Sequence, residues 1–266
     1  MSSIAMALAD GAVIAKRNLI KIKRVPEVLI WTTMSPIMFV LLFAYVLGGS
    51  IEVPGMSYKE YLIAGIFAQT VVFGSTFTGA GLAEDMTKGI IDRFRSLPIS
   101  KAAVLIGRTA SDIFYNAISI SVMSLTGLLV GWRIRTSIPE AIAGFLLLLL
   151  FSYAVSWIMA YVGLKVSSVE VVNNASFMFI MPLTFIANTF VVAETLPGPL
   201  QTFAEWNPVS ALAQAARELF GNTGTMPTPD AWPLQNPVLY SLLAIAGILA
   251  IFVPLSIRQY GKAAAR

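Results

Sequence analysis

The chain of 266 residues predicts an all-α integral membrane protein, and three observations carry that prediction. Hydrophobic residues make up 57% and charged residues only 12%, and the mean hydropathy is +0.77, well outside the range of a soluble domain. The apolar runs are continuous rather than alternating in period two, so helices rather than a barrel make the crossings. One strongly polar interruption, Glu84 to Ser100 (EDMTKGIIDRFRSLPIS), separates two long apolar runs. The expected product is a single domain, 1–266. It has six transmembrane helices, an N-terminal interfacial helix, a cytoplasmic amphipathic helix at 84–100, and short helices before the last span that dip in or lie flat.

Each element has its own local reason. Residues 1–25 read as a basic amphipathic arm: Leu8, Ala12, Ala15, Leu19 and Ile22 share one helical face, and Asp10, Arg17, Lys21 and Arg24 the other. No signal peptide is expected, since no apolar core with a small-residue cleavage site follows a basic start at the right distance. Pro26 turns the chain into a first span, Val28 to Leu47, kinked at Pro36. After a loop through Gly48, Gly49, Pro54 and Gly55, the second span runs from Tyr58 to Ala83. Its Gly65, Gly74, Ser75, Gly79 and Gly81 allow close helix approach. In the polar stretch, Met86, Ile90, Phe94 and Leu97 form an apolar stripe opposite Lys88, Asp92 and Arg95, and Pro98 ends the helix.

The third span, Ala102 to Trp132, carries Arg108 and Asp112 four residues apart near its cytoplasmic start, a spacing that allows them to pair. Arg133, Arg135, Pro139 and Glu140 mark the next turn, and the fourth span runs from Ile138 to Leu164. The polar loop Lys165 to Asn174 leads to the fifth, Ala175 to Val192, which contains Pro182. There Asn174, Met178, Met181, Phe185 and Asn188 recur at intervals of four and three, a stripe with polar ends and a deformable apolar middle. An unpaired amide in hydrocarbon is costly, so Asn188 is expected to face another helix, a cavity or a partner subunit. The stripe is a candidate substrate path or dimer seam. Packing within one subunit explains any single residue of it equally well.

Residues 193–236 hold Pro197, Pro199, Pro208, Pro227, Pro229 and Pro233, too many for a spanning helix. Within them Asn207 reads as an N-cap, Pro208 as the first helical residue and Gly221 as the stop. The helix between, with Leu212, Ala216 and Leu219 on one face, is too short for a hydrocarbon layer of about 30 Å. The sixth span, Val238 to Ile257, ends in a basic tail with Arg258, Lys262 and Arg266.

With both termini in the cytoplasm, Lys59, Arg133, Arg135 and Arg217 fall outside and the other fourteen of the eighteen basic residues inside. That satisfies the positive-inside rule and makes 84–100 cytoplasmic. The net charge of +4 then records loops and anionic headgroups rather than nucleic acid. With no Cys and no His, disulfides, thiolate metal sites and the commonest proton shuttle are excluded. There is no GxxxxGK[ST] motif for ATP hydrolysis, and no ionisable group is expected at mid-depth of a span to carry a coupling ion. A passive pore, a scaffold, or a transport subunit driven by a separate motor remains.

The residues Glu84-Asp85, Gly89-Ile90-Ile91-Asp92-Arg93-Phe94-Arg95-Ser96-Leu97-Pro98-Ile99, Trp206-Asn207-Pro208 and Ala215 to Gly221 resemble the type-2 ATP-binding-cassette permeases, in particular their daunorubicin/doxorubicin-resistance branch. The resemblance covers nearly the whole chain. It implies that the segment between the second and third spans is a coupling helix in a cleft of an ATPase, using Glu84, Asp85, Gly89, Asp92, Arg93, Phe94, Arg95, Leu97 and Pro98. It implies that the helices of 193–236 are re-entrant on the outer side. The implied assembly is two permeases, identical or homologous, with two ATPase subunits that carry the ATP and Mg. It would sit in a bacterial cytoplasmic membrane and export a drug, antibiotic or lipid. This chain would itself be no enzyme, would bind no cofactor, and would contact membrane lipids, a lipophilic substrate and no nucleic acid. Export of a lipid-linked polysaccharide is the alternative, and a channel or scaffold subunit without an ATPase a more distant one.

Overall fold

The computed structural model describes residues 3–24, 26–48, 53–95, 101–166, 168–225 and 229–263. Among the described residues there are helices and one isolated bridge between Val53 and Met56, but no strand. Among the described residues, four stretches are long and apolar enough to cross a membrane: Tyr58–Thr87, Ala102–Val130, Ile138–Gly163 and Pro237–Lys262. Two shorter apolar helical stretches, Thr33–Val46 and Val169–Phe185, accompany them.

The chain opens with α1 (Ser3–Arg24) and α2 (Pro26–Leu42), the latter containing Pro36 and running into a π-helical turn, Phe43–Leu47. The next span is two helices end to end, α3 (Tyr58–Gly74) and α4 (Thr76–Thr87), interrupted at the Gly74–Ser75 pair. Ser57 caps it, its hydroxyl accepting from the Glu60 amide. This span is the most enclosed of the four, and the last, α12 (Pro237–Ala263), the least. Between them in sequence come α5 (Ile90–Arg95), α6 (Lys101–Val130), α7 (Ile138–Gly163) and α8 (Val169–Phe185). The far loops hold a 3-10 turn (Ala193–Thr195), α9 (Gly198–Trp206), α10 (Pro208–Phe220) and α11 (Trp232–Gln235). Small residues set the closest crossings: a Cβ on Gly163 of α7 would overlap the Gly79 backbone of α4.

The arm α1 is rotated from its expected orientation. Gly11, Ile14, Ala15 and Asn18 are buried, while Ala12 and Val13 are exposed. The reason is a backbone crossing with α6, where a Cβ on Gly107 would meet the Gly11 carbonyl and the Ile14 side chain. The arm therefore packs on a protein helix as well as presenting a polar face.

The capped helix of the far loops forms as its sequence dictates. The Asn207 carboxamide oxygen accepts from the Val209 amide at 2.9 Å, and Gly221 closes α10 in the left-handed conformation (φ 74°). The Asn222 amide reaches the Arg217 carbonyl at 2.7 Å and the Gly221 amide the Glu218 carbonyl at 3.1 Å, a Schellman closure. α10 does not lie flat: it is sunk against α3, α7 and α12, with Leu212 and Ala216 fully buried. Its last residue, Phe220, meets the rings of Phe67, Trp132 and Phe145 at 4.8–5.9 Å.

Candidate functional site

The polar stretch 84–100 is not one helix. α4 carries Glu84 and Asp85 as the end of the preceding span, the chain turns at Lys88–Gly89, and the six residues of α5 follow. Gly89 has φ 64°, a left-handed conformation that glycine adopts without strain, and its amide bonds to the Met86 carbonyl at 3.0 Å. The result is a polar elbow. Lys88 Nζ lies 2.6 Å from Glu84 Oε1, and that bond and charge hold the exposed ammonium above its ordinary pKa.

The residues expected to act together divide into two sets. Asp92 and Arg93 are exposed on α5. Asp85 and Phe94 turn inward instead. Asp85 is buried and paired with Arg17 of α1 at 3.0 Å, and the Arg17 guanidinium carbon stands 5.0 Å from the Phe94 ring centroid. Phe94 also packs on an apolar cluster with Ile14, Leu82, Ile91 and Leu105, so its ring anchors the elbow to its own subunit. Arg95 closes α5, while Leu97 and Pro98 lie outside the described residues.

The candidate stripe on α8 is broken too. The helix stops at Phe185, three residues beyond Pro182, so Asn188 lies in the turn that follows rather than on the helical face. Asn188 is buried. Its backbone amide donates to Ser210 Oγ at 3.0 Å, and its backbone carbonyl accepts from Tyr61 Oη at 2.9 Å and Arg217 Nη2 at 2.5 Å, while its side-chain Oδ1 has no hydrogen-bond partner among the described residues. The stop is fixed from a distance, because Asn207 Nδ2 donates to the carbonyls of Leu183 and Ile186 at 2.7 and 3.0 Å. Phe185 packs at a tilt against Phe190 of its own subunit, ring centroids 4.8 Å apart. Asn174 and Met178 are exposed and Met181 half-buried. Phe179 is as exposed as Met178, 72% against 71%, so the open face of this helix is wider than the stripe, while Val172, Ser176, Ile180 and Thr184 are buried on the other.

Two buried ionisable groups complete the site. Asp112 is the twelfth residue of the thirty in α6, deeper than its expected place near a helix end. No ion pair joins it to Arg108; it accepts from Thr78 Oγ1 of α4 and from Ser156 Oγ of α7 at 3.2 Å. Arg108 instead donates to the Phe77 carbonyl at 2.7 Å, in space left by Gly81. Arg217 of α10 is fully buried and donates to the carbonyls of Tyr61 (3.2 Å) and Asn188, its guanidinium carbon 3.6 Å from the Tyr61 ring centroid. Sequence reasoning gave Arg217 no role beyond a charge count. The clue available was an arginine following Ala215 and Ala216 in a capped helix.

A multi-pass helical membrane protein with one ordered polar elbow is the class that these features define. The chain belongs to the ABC-2 type transporter family, whose model matches residues 11–220. It is similar to the daunorubicin resistance ABC transporter permease protein DrrB1 of Streptomyces coeruleorubidus, 34% identical over 244 residues that span 92% of this chain and 83% of that one. The probable doxorubicin resistance ABC transporter permease protein DrrC of Mycobacterium tuberculosis is 26% identical over 84% of this chain and 78% of its own. The doxorubicin resistance permease protein DrrB of the same species is 23% identical over 77% and 71%. The chain is thus a permease subunit of an ABC transporter and a multi-pass protein of the bacterial cell membrane. None of these relatives is named as a polysaccharide exporter.

Proposed function

We propose that the chain exports lipophilic or amphipathic compounds of the daunorubicin and doxorubicin kind, driven by ATP hydrolysis on a separate subunit. What carries the reading is the similarity to resistance permeases over 92% of the chain. The polar elbow supports it as the place where an ATPase engages, with Asp92 and Arg93 of α5 exposed there. In this reading α2, α3–α4, α6, α7, α8 and α12 are the six spans. Both termini and the elbow are cytoplasmic, and α9 to α11 belong to the outer side, with α10 re-entrant. Two copies of the ATPase, each with ATP and Mg, would bind a pair of permeases, identical or homologous. ATP would close the ATPase pair and shift the permeases toward an outward-open state, because it binds the closed pair more tightly. The exposed side of α8, with Asn174, Phe177 and Met178, offers the second permease or the substrate an adaptable apolar surface.

The deciding experiment places permease and ATPase together in lipid vesicles and follows daunorubicin. ATP-dependent movement that Asp92→Ala and Arg93→Ala abolish is the expected result. No movement with an active ATPase present would overturn the reading. Because the chain has no cysteine, orientation is read separately. Ser57→Cys and Thr225→Cys should react with an impermeant thiol reagent in intact cells, and Ser100→Cys should not. For the seam, Met178→Cys should cross-link between permeases, whereas Ile180→Cys, at a buried position, should not.

A further inference from the structure

We propose that Arg17 is a positioning residue, and that through it the arm α1 acts as a strut fixing the polar elbow to α6. The proposal rests on the reading of the elbow as the ATPase contact.

One end of the strut is fixed to α6. At the Gly11–Gly107 crossing a Cβ on Gly107 would come within 2.5 Å of the Gly11 carbonyl, and one on Gly11 would be tight against Ile106. One turn further on, Asn18 Nδ2 donates to Ser111 Oγ at 3.1 Å in a buried bond across 93 residues, and Ser111 Oγ donates to the Gly107 carbonyl at 2.6 Å. The other end holds the elbow. Arg17 donates through Nε and Nη2 to Asn18 Oδ1 at 3.2 and 2.9 Å, and through Nη2 to Asp85 Oδ2 at 3.0 Å. Its guanidinium carbon stands 5.0 Å from the Phe94 ring centroid. A single polar chain therefore runs from the Gly107 backbone through Ser111, Asn18 and Arg17 to the end of α4, and the cation–π contact extends it to α5.

The residue types suit the task. A planar guanidinium can meet a carboxylate, a carboxamide and a ring face at once, whereas an ammonium is a point charge on a flexible stem. Neighbouring Lys16 is exposed, and a basic residue wanted only for lipid headgroups needs no more than that. A displacement of α5 then reaches α6 by way of the arm as well as along α4.

The first test needs no ATPase. A spin label at Asp92→Cys in the permease alone should gain mobility about threefold in Arg17→Gln, the scale of an accessible charge contact. Asp85→Asn should do the same, Arg17→Lys should recover only part of the loss, and so should the exchange Arg17→Asp with Asp85→Arg, which restores the ion pair but neither the Asn18 bonds nor the Phe94 contact. Lys16→Gln should leave the label unchanged. An immobile label in Arg17→Gln, or an exchange that restores nothing, overturns the strut. The second test adds the ATPase: in Arg17→Gln, substrate moved per ATP hydrolysed should fall about threefold and return in part in the exchange variant. A fall in protein yield alone would not change that ratio, and an unchanged ratio in Arg17→Gln overturns the positioning role. If the label responds but the unaltered permease never engages an ATPase, the strut stands and the functional reading falls.

Discussion

Asp112 and Arg217 are both buried within the helix bundle, one of each sign, and neither is paired with an opposite charge among the described residues. They differ in what holds them. Arg217 is bound by backbone carbonyls of α3 and of the turn after α8, which the helix and turn hold in place, and is covered by the Tyr61 ring. Asp112 is bound by the hydroxyls of Thr78 and Ser156, which turn about a single bond and belong to two different helices. The first arrangement fastens a short helix into the bundle. The second is a joint between helices that can be released and remade without breaking backbone structure. Equal burial thus serves stability at one end of the molecule and leaves freedom of movement at the other.

Four measurements sharpen or break this contrast, in falling order of expected effect. Phe220→Ala removes the ring that closes the aromatic nest beside Arg217 and should cost about 3–5 kcal/mol of stability. Near-total loss of monodisperse protein in detergent is the sign to look for. Arg217→Ala should cost about 3 kcal/mol through the vacated volume and the carbonyls left without donors. An unchanged thermal midpoint there would end the fastening role. Thr78→Val keeps the volume and deletes one donor to Asp112, for which about 1–2 kcal/mol is expected. Its transport rate should change more than its midpoint, and the reverse would make Asp112 as static as Arg217. The last is Arg135→Ala, which breaks an ion pair with Glu60 (2.7 Å) in which the arginine side chain is 60% exposed. Screening by solvent limits the effect to under about 1 kcal/mol, shrinking further in high salt.

What the sequence made legible was local. Asn207, Pro208 and Gly221 fixed α10 because a cap, a preset φ and a left-handed stop act within a turn of the residue that supplies them. The same grammar was present at Lys88–Gly89, where a glycine after the last periodic residue of α4 ends the helix. The apolar stripe through Met86, Ile90 and Phe94 masked it. The fifth helix ends seven residues before the expected Val192, because hydrophobicity continues past Phe185 while the cap that stops it comes from Asn207. Asp112 was placed too shallow because an apolar run gives a span's extent only loosely. The pairing of Arg17 with Asp85 joins residues 68 apart, which no periodicity could disclose.

The interruption at Gly74–Ser75 gives the second span leverage. The single Ser75 hydroxyl proton is shared between the Val71 carbonyl at 2.8 Å and the Ser152 carbonyl of α7 at 3.0 Å, so the break is braced on one side. Between that point and Thr87 lies a rigid arm of about 18 Å at 1.5 Å per residue. A tilt of about 10° at the break swings the far end by about 3 Å, enough to separate a hydrogen-bonded pair. The Thr78–Asp112 contact, three residues from the pivot, would open by less than about 1 Å. A rotation that loaded the Arg17–Asp85 contact would therefore barely strain the buried carboxylate. Contacts to this helix tolerate displacement in proportion to how close they lie to the pivot.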